Sequence, residues 1–155
     1  MEKFLESKEK AQKHIKIADH ILTMTYPLVK DNKLLLTSAN NILESLKSSI
    51  DYLLYYERLY KRIPLFPDNF NSKLGVLKAK SKRWSIESAE INALLEIGHI
   101  IEQHKKSPVE ISKGEKFCIF GENYQVKTIT AKDMKTYLNI AKLFFNKVDK
   151  IVTGN

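Results

Sequence analysis

A single cysteine, Cys118, stands in this chain, so no disulfide can close within it, and the usage fits a reducing compartment. No Cys-x-x-Cys or other nucleophile signature surrounds that thiol, which reads as a small packing residue. Glycine is scarce and scattered (Gly75, Gly98, Gly114, Gly121 and Gly154), which excludes a Gly-rich phosphate loop. No stretch approaches the roughly 20 apolar residues of a membrane span. The opening Met1-Glu-Lys-Phe-Leu-Glu-Ser is charged and lacks the apolar core of a signal peptide. The expected location is therefore the cytoplasm, with no membrane partner.

What is present is a globular composition, 43% apolar and 28% charged over 155 residues. A chain of this length buries roughly 70% of its unfolded surface and needs no metal or cross-link to stay folded. One domain, residues 1–155, is expected, with no internal repeat or linker. The hydrophobic spacing is helical almost throughout. Helix one is predicted over about 3–29, with Ala11, Ile15, Ala18, Leu22, Tyr26 and Val29 on one face and Pro27 kinking it or stopping it just before. Helix two is predicted from an Asp31 N-cap to about Arg62, with a stripe from Leu35 through Ile50 to Tyr56 and Tyr60. Between Leu34 and Ile50 only Glu44 and Lys47 are charged, so this helix is expected at the centre of the bundle or in a subunit interface. Asp68 can cap a short helix over 69–82, and a fourth helix is expected over 85–105, ended by Ser107-Pro108.

Residues 108–130 break the helical pattern and read as a β-hairpin. With Glu122-Asn123 as the loop, Phe117 and Ile119 share a face with Val126 and Thr128; this register is favoured. A three-residue loop would pair Phe120 with Tyr124 and Cys118 with Val126 instead. Such a hairpin is marginal alone and needs a surface to cover. Thr130 opens the last helix in a capping-box-like Thr-Ala-Lys-Asp, and Gly154 ends it. The fold class is thus mostly α: an up-and-down bundle of about five helices, with one small hairpin at about 109–129 before the last.

The net charge of +8 is uneven. Residues 66–83 hold five cations against one carboxylate, and the last helix is also basic. Lys73, Lys78, Lys80, Lys82 and Arg83, followed by Trp84, combine positive charge with one ring. Phosphate contacts plus stacking would suit single-stranded nucleic acid; a solvated basic face is the structural reading. Asn41, Ser45, Ser48 and Tyr52 form a polar stripe beside the core face of helix two, as close helix packing or a homodimer seam would require. Glu96-Ile-Gly-His99 is one Glu-x-x-His where a di-iron bundle needs two and further glutamates, so no metal ligands are assigned. The pairs His14/His20 and His99/His104, six and five residues apart, point in different directions around their helices.

The order of two long antiparallel helices, a short third, a fourth and a final helix resembles the HEPN superfamily (higher eukaryote and prokaryote nucleotide-binding domains), over residues 3–152. That resemblance implies a small helical bundle, often dimeric. Its members include toxins, defence ribonucleases and noncatalytic partners of nucleotidyltransferases. The ribonucleases carry Arg, four to six residues, then His. Arg58, Arg62 and Arg83 are followed by no histidine at that distance, so no catalytic residue is carried over.

The first expectation is a noncatalytic binding protein without cofactor, a homodimer or the partner of another protein, as in a toxin–antitoxin or nucleotide-related system. The second is an RNA-associated protein using Lys73–Arg83 and the last helix. The third is a metal-dependent enzyme around His99.

Overall fold

The computed structural model describes residues 2–106, 110–114, 116–120 and 126–154. It contains, among these, five helices and a small antiparallel sheet inserted before the last. Helix α1 runs Lys3–His20, widens into a π turn at Ile21–Thr25 and closes with an α turn at Tyr26–Val29. Proline lacks an N–H and crowds the preceding turn. The wide turn lies just upstream of Pro27, where the Tyr26 N–H reaches back to the Ile21 carbonyl, so the helix passes Pro27 instead of stopping before it. Lys30, in the left-handed region at φ +54°, ends it.

Helix α2, Lys33–Leu59, takes Asn32 and not Asp31 as its N-cap; Asp31 stands one residue earlier, where its carboxylate still accepts the Lys33 N–H at 3.0 Å. It is the central helix. Phe4 lies against Tyr52 and Tyr56, and His14 bonds Asn41 at 2.8 Å, so α1 runs antiparallel along it. Helices α3 (Phe70–Ala79), α4 (Ser88–Lys106) and α5 (Ala131–Thr153) complete the bundle. Tyr137 bonds Glu96, and Lys147 bonds Glu90, which sets α4 antiparallel to α5. Leu22, Leu35, Ile42, Leu53, Ile97 and Val148 are fully buried in one continuous apolar cluster. Truncating any of these leucines or isoleucines to alanine would cost about 2–5 kcal/mol.

Two ends depart from expectation. Val29 and Tyr60, the last apolar positions of the two predicted stripes, are exposed at the helix ends. The cap of α3 is Asn69, which accepts the Ser72 N–H at 2.8 Å; Asp68 instead turns to Lys73 and Tyr55. Helix α5 opens and closes as its sequence says: the Thr130 hydroxyl accepts the Asp133 N–H, and Gly154 takes φ +77°.

The inserted segment holds three strands, β1 (Glu110–Lys113), β2 (Lys116–Phe120) and β3 (Val126–Thr130), in the order β1-β2-β3. The register corrects the favoured one. Phe120 pairs with Val126 and Cys118 with Thr128, so five residues separate the paired ends of β2 and β3. The slip puts Ile129, not Thr128, on the buried face with Phe117 and Ile119, and leaves Val126 half exposed. Burying isoleucine in place of threonine is the better bargain for an apolar face. The proposed loop at Glu122-Asn123, and the helix stop at Ser107-Pro108, lie outside the described residues. The sheet covers the bundle through Phe117, Ile119 and Ile129, and is fastened at one turn by Asn32. That side chain accepts from the Tyr26 hydroxyl and donates to the Gly114 carbonyl at 2.9 Å.

Candidate functional site

The C-terminal end of α2 gathers cations and rings. The helix closes in a Schellman turn: the Arg62 N–H reaches the Glu57 carbonyl, the Lys61 N–H reaches the Arg58 carbonyl, and Lys61 takes φ +56°. Residues 80–85 repeat the device, with Ile86 N–H on the Ser81 carbonyl and Ser85 at φ +54°. The two turns are joined through Glu57. Its buried carboxylate accepts the Trp84 indole N–H at 3.0 Å and pairs with the Arg62 guanidinium at 3.1 Å. The turn that carries Lys80, Lys82 and Arg83 is thereby pinned beside the end of α2.

The sequence-level basic patch divides here. Lys73 has two carboxylates, Asp51 at 2.9 Å and Asp68 at 2.8 Å, and its ammonium also lies over the Tyr55 ring. Burial pulls the Lys73 ammonium down, but the hydrogen bonds it donates to Asp68, Asp51 and Tyr55 outweigh it and hold the pKa well above the ordinary lysine value. Burial raises Asp51, and the hydrogen bonds from Lys73 and then Tyr55 lower Asp68. Lys73 is therefore a neutralised structural residue. Lys78, Lys80, Lys82 and Arg83 have no carboxylate within ion-pair reach among the described residues. All but the half-exposed Lys80 are exposed. Trp84 is 3% exposed and cannot present a stacking face; it plugs the junction. Tyr60 is the ring this end does present, 56% exposed with the Arg62 guanidinium 5.3 Å from its centroid.

The proposed interface stripe is corrected too. Ser45, Ser48 and Tyr52 are buried inside the single chain, and Asn41 is half buried. Ser45 donates to the Ile42 carbonyl, Asn41 meets His14, and the Tyr52 hydroxyl donates to Asp149 at 2.7 Å. These contacts lie within the single chain and fit the close helix packing that was the other reading of the stripe. The homodimer expectation loses the residues on which it rested.

His99 is exposed, and Glu96 accepts a 2.7 Å hydrogen bond from Tyr137. No group of three or more His, Cys, Asp or Glu converges among the described residues. Cys118 is half buried, with Sγ 3.8 Å from the Thr128 hydroxyl.

Beside Tyr60 lies an open groove of about 660 Å³, between the start of α1 and the loop that follows α2. Leu59, Ile63, Pro64, Leu65 and Phe4 line it, with Lys3, Arg58 and Lys61 at its rim. The sequence reading missed it, because its walls come from residues 2–4 and 55–65, and its basic residues form no run. The nearest signal was the double-proline loop, Ile63-Pro-Leu-Phe-Pro, which carries apolar side chains where a connecting loop is ordinarily polar.

No family model, curated protein or solved structure matches the chain. No helix among the described residues is long and apolar enough to cross a membrane.

Proposed function

We propose that this chain is a noncatalytic binding domain that takes single-stranded nucleic acid at residues 78–83, the end of α3 and the turn after it. The observation that carries the reading is a contrast within one short segment. Lys73 is neutralised by two carboxylates, while Lys78, Lys80, Lys82 and Arg83 have none among the described residues; Lys78 lies on the last turn of α3 and the other three on the turn fixed by the Trp84–Glu57 hydrogen bond. Unpaired cations on a rigid turn attract phosphate without having to give up a partner. Tyr60, at the same end of the bundle, replaces Trp84 as the ring on which a base can stack.

Fluorescence anisotropy of a short oligouridylate tests this. Four phosphate contacts on a single strand predict a log–log salt slope near −3, about −0.7 for each cation. Lys78→Glu with Lys82→Glu and Arg83→Glu should abolish binding. No binding by the unmodified protein at low salt rejects the reading.

One observation favours a protein partner as a second reading. Met24, Leu28 and Val29, at the end of α1, are 56%, 83% and 62% exposed, and an apolar corner of this kind suits a protein contact. Sedimentation of the protein across a wide concentration range, with Leu28→Glu as control, tests self-association there. A monomer throughout removes the second copy as its occupant.

A further inference from the structure

The groove between the start of α1 and the 60–65 loop carries an electrostatic arrangement that the nucleic-acid reading does not use. Lys3 and Arg58 both lie over the Tyr55 ring, at 5.5 and 4.9 Å from its centroid, and Arg58 also lies over Phe66 at 4.6 Å. Lys73 shares the same ring but spends its charge on Asp51 and Asp68. Lys3, Arg58 and Lys61 have no ion-pair partner among the described residues, and Glu2 is the one carboxylate that lines the groove. Even with Glu2 in the lining and Asp68 near enough to Lys3 to feel its charge, three cations leave the groove net positive, which favours an anion there.

Below the rim the walls are aliphatic. Leu65 is 85% exposed and Leu59 49%, while Ile63 is buried beneath them. The volume falls in the range of small-ligand sites. We infer that this groove binds a small amphipathic anion, an apolar body lying on Leu59, Ile63 and Leu65 with one carboxylate or comparable head group among Lys3, Arg58 and Lys61. The inference is independent of nucleic-acid binding, whose cations are 78–83.

The test uses the full chain and three isosteric probes, octanoate, 1-octanol and octylammonium, followed by backbone-amide chemical shifts. Octanoate should bind saturably, with shifts centred on Phe4, Arg58, Leu59 and Leu65. It should bind about tenfold more tightly than octanol, and octylammonium more weakly still. Lys3→Gln combined with Lys61→Gly removes two exposed cations without touching the core, and glycine suits the turn at 61. That pair should bring octanoate close to octanol while leaving octanol unchanged. Leu65→Gln should weaken both. Equal affinity for octanoate and octanol in the unmodified protein, shifts centred outside the groove, no saturable binding, or an octanoate affinity unmoved in the double variant would each overturn the inference.

Discussion

Lys73 and Lys78 lie on the same short helix, and the fold treats them in opposite ways. Lys73 points back into the body, where Asp51 and Asp68 hold it and the Tyr55 ring faces it. Lys78 points out, with no carboxylate within ion-pair reach among the described residues. A run of basic residues in a sequence is therefore not one patch. Some of its charges are structural and already neutralised, and only the remainder is available to a ligand. The same division separates Trp84 from Tyr60: the first is locked by Glu57, the second is presented.

The largest test of this contrast is Trp84→Ala. It removes a buried ring and leaves the buried Glu57 carboxylate short of a donor, so a loss of about 3–5 kcal/mol is expected in urea unfolding. Oligouridylate binding should weaken as well, because the turn loses its pin. Next comes Lys73→Met against Lys78→Met. The first strands Asp51 and Asp68 and should cost about 1–2 kcal/mol while leaving the salt slope unchanged. The second should leave stability within about 0.5 kcal/mol and reduce the slope by about 0.7. If both variants changed the slope equally, the distinction between structural and available charge would fail.

Alkaline pH probes the neutralised side alone. Burial, aided by a hydrogen bond to Asp149, raises Tyr52, and burial with Glu96 does the same to Tyr137; Lys73 is also raised. Above the ordinary tyrosine value of 10.0 the unfolded chain loses protons that the folded chain keeps. Stability should therefore fall as pH rises from about 10, and Lys73 should add to the fall from 10.5 upward. Thermal melts of the unmodified protein and Tyr52→Phe across this range check it, the variant showing the shallower decline. The smallest effect is that of Lys61→Gly, which relieves the left-handed backbone and should raise stability by about 0.5 kcal/mol.

Most of the helical frame was legible in the sequence because periodicity reports burial directly. The stripes through Leu22, Ile42, Ile97 and Val148 all face the core. Ends were less legible. Helix α4 begins at Ser88, three residues later than its periodicity suggests, since the left-handed Ser85 breaks the run and Ile86 is buried without being helical. The sheet register turned on a single-residue choice between Thr128 and Ile129, and turn residues pulled toward a shorter loop than the pairing contains. Of the candidate site, the cations at 78–83 were visible as a charge run. The neutralisation of Lys73 was not, because Asp51 belongs to another helix. The groove was invisible for the same reason, being assembled from the two ends of α1 and α2 that meet only after folding.

Asn32 carries a consequence for how this molecule opens. One amide side chain accepts from the Tyr26 hydroxyl and reaches the Gly114 carbonyl 82 residues away, so it fastens the sheet in addition to the apolar face. Helices and sheet are then expected to share one cooperative opening event, and loss of the link to give the strand amides an opening route below the global unfolding energy. Hydrogen exchange should show strand β2 and helix α2 exchanging together in the unmodified protein and parting company in Asn32→Ala.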